Sequence, residues 1–170
     1  MDKTTAIISK ILGVMLIILM AAMVLDVTWQ VVTRFILKDP SPFTEELAGF
    51  LLIWVGVLGA SYAFYTKAHL GIDVLTYKLT GVKKQIVEIL INLIVLAFAF
   101  FVMIIGGMKL MNLSFTLNQI SPALGIRMGY IFMVIPISGL LIIYFAIHFM
   151  VEAIRAKPTR LAEHKISAID

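Results

Sequence analysis

Residues 47–65 form an unbroken apolar run that contains no charged side chain. A helix needs about 20 apolar residues to cross the hydrocarbon core of a bilayer, so this run predicts a membrane-spanning helix. Just before it, prolines flank Ser41, a pattern that ends one helix and starts another with Ser41 as its cap. Glu45 and Glu46 follow in or just after the first turn, near the positive end of the helix dipole. The sequence therefore predicts a membrane helix with two carboxylates at its mouth.

The composition extends this prediction to the whole chain. Of the 170 residues, 61% are hydrophobic and 14% are charged, whereas a soluble domain has about 45–50% apolar and about 25% charged residues. We expect an all-α integral membrane protein with a single membrane domain and no soluble domain. Its predicted spans are about residues 5–37, 42–66, 83–113 and 126–154. Cysteine is absent, which excludes disulfides, thiolate metal sites and cysteine nucleophiles.

Three further features refine the prediction. Residues 1–30 resemble a signal peptide, but without a clear cleavage site they are interpreted as part of an uncleaved first span. Residues 71–80 place Ile72, Leu75 and Leu79 on one helical face and polar side chains on the other, which predicts a short interfacial helix between the second and third spans. Pro136 is expected to bend the fourth span, and residues 157–170 form a polar tail.

The distribution of Lys and Arg predicts the orientation. Basic residues are concentrated in the N-terminal segment, in the connection after the second span and at the C-terminal end. The other two connections have fewer, partly offset by acidic residues. By the positive-inside rule, both termini and the middle connection are expected in the cytoplasm, so Glu45 and Glu46 face outward.

The two glutamates permit more than one interpretation. Ionisable groups at membrane depth suggest a proton or cation site. Because the pair lies at the entrance of the span, we favour helix-start electrostatics with an ion pair to Arg34 or Lys38, or a contact with a partner. Asp26 is the other acidic candidate, and we expect it near one membrane face.

A series of small residues follows one side of the second span: Gly49, Gly56, Ala60 and Ala63. Small residues let membrane helices approach closely. The pattern is equally compatible with packing inside the protein and with docking onto another subunit.

No catalytic or metal-binding pattern is present in the sequence, so we expect no enzyme activity, no metal and no cofactor in this chain. His69 and His148 raise the possibility of haem ligation, which requires histidines that project into a bundle interior. His69 lies in a connection and is expected to support the bend before the interfacial helix, while His148 lies near the end of the last span.

One series of motifs resembles a known family. It consists of Arg34-Phe35, Pro42-Phe43-Thr44-Glu45-Glu46-Leu47-Ala48, Trp54, Leu58-Gly59-Ala60 and Lys67-x-His69-Leu70-Gly71-Ile72-Asp73, with Leu124-Gly125-Ile126, Tyr130 and Ile135-Pro136 in the last span. The chain resembles the small membrane subunit of the TRAP transporters, the tripartite ATP-independent periplasmic family. The resemblance covers nearly the whole chain.

The resemblance implies a secondary transporter of three parts in a bacterial inner membrane. A periplasmic binding protein captures an organic carboxylate, of the sialic acid or C4-dicarboxylate class, and a large membrane subunit moves it together with sodium. The small subunit serves as a scaffold for the large one and helps to dock the binding protein. We lean toward the sialic acid type for this chain.

The residues predicted to act in structure or partner contacts are Arg34, Glu45, Glu46, Trp54, Gly56, Ala60, His69 and Asp73. The interfacial helix would anchor the scaffold at the cytoplasmic surface, while Arg34 and the two glutamates would join the first two helices or touch the binding protein. The alternatives are a haem-carrying membrane redox subunit and a self-sufficient, homodimeric ion-coupled transporter that works through Glu45 or Asp26.

Overall fold

A computed structural model describes residues 3–39, 41–66 and 82–155 of the protein. Four helical segments in it are long and apolar enough to cross a membrane: Lys3–Leu37, Pro42–Tyr65, Lys83–Thr116 and Met128–Arg155. The predicted all-α architecture with four spans is confirmed. The predicted interfacial helix, His69, Asp73 and the polar tail lie outside the described residues.

Three of the four spans change their helical geometry along their length. The first span consists of α1 (Lys3–Val32) and a π-helical segment, Thr33–Leu37, and the second is α2 (Pro42–Tyr65). The third consists of α3 (Val82–Phe98), a second π-helical segment, Ala99–Gly106, and α4 (Gly107–Thr116). The fourth consists of α5 (Met128–Phe132) and α6 (Val134–Arg155).

The turn between the first two spans shows how one helix ends and the next begins. Lys38 adopts a left-handed conformation with φ of 54°, and the N–H of Asp39 donates to the carbonyl of Thr33 at 3.1 Å. Ser41 precedes α2 in an extended conformation, but its side chain makes no capping hydrogen bond. Instead, the Thr44 hydroxyl donates to the Ser41 carbonyl at 3.0 Å. The predicted side-chain cap at Ser41 is therefore wrong, although the helix starts at the expected proline.

The spans form an open row rather than a closed bundle. The first span packs on α2, α2 packs on α6, and α6 packs on the third span. Within the described ranges, no extensive contact joins the first span to the third. The fourth span is therefore central, with 39% of its most apolar window buried against 11% or less for the other three. Large surfaces of the outer helices are left for lipid or for another protein.

The core lies where α1, α2 and the fourth span meet. Leu12, Leu58, Val134 and Phe145 form its buried cluster. The Tyr65 ring packs against Phe145 with ring centroids 5.0 Å apart, which places the aromatic end of α2 against the middle of α6. These contacts fix α2 to the fourth span.

Proline and glycine shape the contact between the last two spans. Because Pro136 has no N–H to donate to the carbonyl of Phe132, the helix is interrupted at Met133 between α5 and α6. This interruption lies one turn before the proline at which the sequence predicts a bend. A Cβ atom on Gly139 would lie 2.9 Å from Cβ of Met103, and one on Gly107 would lie 2.9 Å from Ile135 Cγ2. Only glycine permits these helices to approach so closely.

Candidate functional site

Glu46, near the start of α2, makes a polar contact of three hydrogen bonds with a distant part of the chain. Its Oε2 atom accepts hydrogen bonds from the Ser121 hydroxyl at 2.5 Å, the Ala123 N–H at 2.9 Å and the Leu124 N–H at 3.0 Å. Hydrogen bonds to an ionised carboxylate are about twice as strong as neutral ones. Glu46 therefore fastens α2 to the loop that leads into the fourth span.

This loop, residues 117–127, is itself a small ordered hairpin. An antiparallel bridge joins Ile120 and Arg127, and the Ser121 N–H donates to the Ile126 carbonyl at 2.9 Å. Gly125 has a φ of +66°, which a side chain would strain, and its N–H donates to the Ser121 carbonyl at 2.9 Å. The hairpin aims the Ser121 hydroxyl and two backbone N–H groups at a single point, which Glu46 occupies.

The favoured ion pair of the glutamates with Arg34 or Lys38 is wrong for Glu46, whose carboxylate is bound by the 117–127 loop. Within the described part of the chain, the ion pair found joins Lys84 and Glu88 at 3.8 Å. Glu45 and Arg34 are both exposed. The two neighbouring glutamates thus have different surroundings: Glu46 acts inside the molecule, and Glu45 remains on the surface.

Three of the four small residues in the series on α2, Gly49, Gly56 and Ala60, are exposed, whereas Ala63 is half-buried. A Cβ atom added at Gly49, Gly56 or Gly59 would meet nothing within 4 Å. Trp54, by contrast, is half-buried and packs against the core cluster around Leu58. Of the two interpretations left open by the sequence, internal packing therefore does not apply to Gly56 and Ala60.

Hydroxyl contacts that the sequence did not single out join the spans. Ser61 and Ser138 are fully buried, with their hydroxyl oxygens 2.6 Å apart, and the Ser138 hydroxyl donates to the Val57 carbonyl at 2.8 Å. At the N-terminal end of the first span, the Thr5 hydroxyl lies 3.2 Å from that of Tyr144. In the sequence, the only indication that Ser61 is buried is its position three residues after the core residue Leu58, which places both on the same face of the helix.

A further contact holds the third span to the end of the fourth. The Gln85 side-chain amide donates to the Ala153 carbonyl at 2.8 Å. Ala153 is in the last turn of α6, so its carbonyl has no partner in its own helix and accepts a side chain instead. This contact places the basic residues Lys83 and Arg155 at the same end of the molecule.

The described residues contain no group of three or more His, Asp or Glu side chains that could hold a metal ion. Among the histidines, His148 falls within the described ranges, and its ring packs on Phe149 with centroids 5.8 Å apart. It belongs to an aromatic contact on the fourth span. His69, the other histidine considered for haem ligation, lies outside the described residues.

Four helices of membrane-spanning length define a multi-pass α-helical membrane protein. Buried hydroxyls join its helices, and the Glu46 carboxylate joins a helix to a loop. The sequence matches the family of tripartite ATP-independent periplasmic transporters, DctQ component, over residues 23–156, and the chain belongs to this family. It is a small permease subunit, a transport protein and not an enzyme.

Individual relatives agree with this assignment. The chain is 29% identical over 135 residues to a putative TRAP transporter small permease protein of Haemophilus influenzae, covering 79% of this chain and 82% of that protein. It is 37% identical over 73 residues to the sialic acid TRAP transporter small permease protein SiaQ of Vibrio cholerae, covering 43% and 42%. It is also 27% identical over 115 residues to the sialic acid TRAP transporter permease protein SiaT of Haemophilus influenzae, where the match spans 68% of this chain but 18% of that longer protein.

Proposed function

We propose that this protein is the scaffold subunit of a sodium-coupled TRAP transporter for an organic carboxylate, with the large permease subunit as its membrane partner. The observation that carries the proposal is the open row of helices, whose second helix presents exposed small residues that no part of the described chain covers. Small residues on a membrane helix favour close contact with another helix rather than with lipid. A scaffold needs such an uncovered surface.

The arrangement of polar groups supports a bracing role rather than independent transport. A transport site is usually built from discontinuous helices repeated in two halves, with charged groups near the middle of the membrane. In the described ranges, some buried hydroxyls bond within their own helix, as Ser9 does to the Ala6 carbonyl, and others join two helices, as Ser61 does with Ser138. On this proposal, the large subunit supplies the substrate site and the sodium sites, and no cofactor is needed in this chain.

The similarity to the longer permease protein SiaT supports the choice of partner. In that relative, the region similar to this chain is part of a protein several times its length, since the match spans 18% of it. We infer that this chain and a separate large subunit form an equivalent assembly. The names of SiaQ and SiaT also favour a sialic acid as the transported carboxylate.

We place the protein in a bacterial inner membrane with both termini in the cytoplasm. The excess of basic residues at the two termini and around residues 67–84 supports this orientation. In this orientation, the connection between the first two spans faces the periplasm, with Arg34 before it and Glu45 after it. The 117–127 loop lies on the same side. The exposed charges of Arg34 and Glu45 would contact the periplasmic binding protein, while the region of His69 and Asp73 would anchor the scaffold at the cytoplasmic surface.

Co-expression with a tagged large subunit tests the central proposal. We expect the chain to purify with that subunit, and sodium-driven uptake in proteoliposomes to require both chains and the binding protein. Uptake of a carboxylate by liposomes that contain only this chain would instead establish a self-sufficient transporter. A Soret band in the purified protein would favour the haem-carrying alternative.

Replacement of both Glu45 and Glu46 by Ala tests the periplasmic end. We expect an assembled transporter with a lower uptake rate, because the double variant removes an exposed charge and releases the 117–127 loop. Single variants separate these two causes. If uptake and assembly are both unchanged in the double variant, the glutamates have no role in the transporter.

A further inference from the structure

The first span faces its neighbours through one regular seam. Residues at alternating spacings of four and three are buried or half-buried along its whole length: Thr5, Ser9, Leu12, Leu16, Leu19, Met23, Asp26, Gln30 and Thr33. This spacing is the pattern of a left-handed helix pair. A Cβ atom added at Gly13 would lie 3.3 Å from the ring of Tyr62, which is near the end of α2. The two helices therefore run antiparallel. Asp26 therefore faces the seam toward the beginning of α2.

Asp26 occupies this seam without a partner for one of its oxygens. Its Oδ2 atom is shielded from the surroundings and accepts no hydrogen bond from the described residues. Leu19 and Met23 precede it on the same face, and Gln30 follows it. The side chain as a whole is half-buried, and an ionised oxygen at the covered position would lose its hydration without gaining a hydrogen bond, which costs free energy.

The charged groups on the adjoining elements do not compensate for this loss. Arg34 lies two turns further along, in the π-helical segment, and forms no ion pair with Asp26. On α2, the charged side chains that lie closest to the level of Asp26 are Glu45 and Glu46, and both are acidic. Glu46 is bound by the 117–127 loop, and a charged Glu45 would only disfavour a second negative charge nearby.

We propose that Asp26 is a proton-binding site: the side chain is held as a neutral carboxylic acid in the seam between the first two spans. In this form, the shielded oxygen carries the proton and needs no donor from a neighbour. The seam then contains polar but uncharged groups at Asp26, Gln30 and Thr33. The site does not depend on the transport role proposed above, because it follows from the helix pair alone.

The proposal makes the stability of the chain depend on pH with a defined sign. An aspartate in an unfolded chain loses its proton near pH 4, whereas the proposed site holds a proton in the folded chain. Above that pH the folded state binds more protons than the unfolded state, so stability falls as the pH rises. Asp26→Asn is neutral at every pH and should lose this part of the dependence.

Infrared difference spectroscopy and thermal unfolding of the full chain in detergent test the site. Subtraction of the Asp26→Asn spectrum from that of the wild type should reveal a neutral carboxylic acid carbonyl band. The melting temperature of the wild type should fall more steeply above about pH 4 than that of Asp26→Asn. Asp39→Asn is the matched control, because Asp39 is exposed, and it should change only the carboxylate bands.

The same measurements on the complex with the large subunit complete the test. If Asp26→Asn removes only carboxylate bands and leaves the pH dependence unchanged, in the isolated chain or in the complex, the proposal is overturned. In the complex, that result would indicate a cationic side chain from the partner. If Asp26→Asn does not fold, Asp26→Glu replaces it, and the neutral acid band should shift rather than disappear.

Discussion

Glu46 shows how a single side chain can organise one end of a membrane protein. Three donors, one hydroxyl and two backbone N–H groups, converge on its Oε2 atom. The hydroxyl donor Ser121 is 1% exposed and sits between the third and fourth spans. The contact therefore links the start of α2 to a loop that ordinary helix packing would leave unattached.

Glu46→Ala is expected to lower the melting temperature of the purified chain by a few degrees, because all three donors lose their acceptor. The neighbouring Glu45→Ala is the matched control and should leave the melting temperature unchanged, since Glu45 is exposed. The natural chain has no cysteine, so Ala123→Cys can be labelled alone. Thiol labelling at that position should be faster in the Glu46→Ala background, and an equal rate would contradict the role assigned to Glu46.

The buried serine pair offers a second test on single residues. Ser138→Ala removes a fully buried hydroxyl that donates to the Val57 carbonyl and is hydrogen-bonded to the hydroxyl of the fully buried Ser61. We expect a loss of about 0.6–2 kcal/mol in the free energy of unfolding, as found for hydrogen bonds between membrane helices. The double variant with Ser61→Ala should cost less than the sum of the single variants, because they share one interaction. Additive losses in a double-mutant cycle would show that the two hydroxyls act independently.

Among the helical elements, glycine marks two different kinds of surface. On the last two spans, Gly107 and Gly139 lie where a Cβ atom would come within 3 Å of a neighbour. On α2, Gly49, Gly56 and Gly59 face open space. The same residue type therefore supports internal packing in one half of the molecule and leaves a shallow uncovered surface in the other.

Bulky substitutions should separate these two surfaces. Gly139→Leu is expected to destabilise the isolated chain by about 1–3 kcal/mol, since the new side chain overpacks the contact with Met103 and Ile104. Gly56→Leu should leave the stability of the isolated chain almost unchanged. Denaturant or thermal unfolding of the two variants provides the measurement, and equal losses would mean that α2 is covered within the chain.

For the whole molecule, the open row makes a prediction about which spans meet. The pair Ser61→Cys and Ser138→Cys should form a disulfide under mild oxidation, because the native hydroxyl oxygens are 2.6 Å apart. The pair Ile17→Cys and Leu93→Cys places one cysteine on the first span and one on the third. These two spans do not pack extensively on each other, so this pair should not cross-link. Electrophoretic mobility with and without reductant distinguishes the two pairs. Cross-linking of the second pair within one chain would indicate a closed bundle.

At the same scale, the uncovered side of α2 should matter only in the assembled transporter. Gly56→Leu combined with Ala60→Leu is expected to reduce co-purification with the large subunit severalfold, because bulky side chains prevent close helix contact. Leu140→Phe, at an exposed position on the fourth span, is the control for added bulk. If both variants co-purify normally, the large subunit binds elsewhere on the row.

The sequence by itself determined the class of protein, the number of spans and most points where helices end. These features follow from local properties: apolar length, the missing N–H of proline and the distribution of charge. The same local reasoning identified Glu46 as a notable residue, but it proposed Arg34 or Lys38 as the partner because both lie nearby in the chain.

Only the tertiary structure decided that Glu46 binds Ser121, 75 residues away in the sequence, and that Gly56 and Ala60 face outward. It also showed that the fourth span lies between the second and the third. In a chain where almost every span is apolar on all sides, periodicity says little about which face meets which neighbour. That choice depends on glycine contacts, buried hydroxyls and one carboxylate, whose partners become visible only when the helices are packed together.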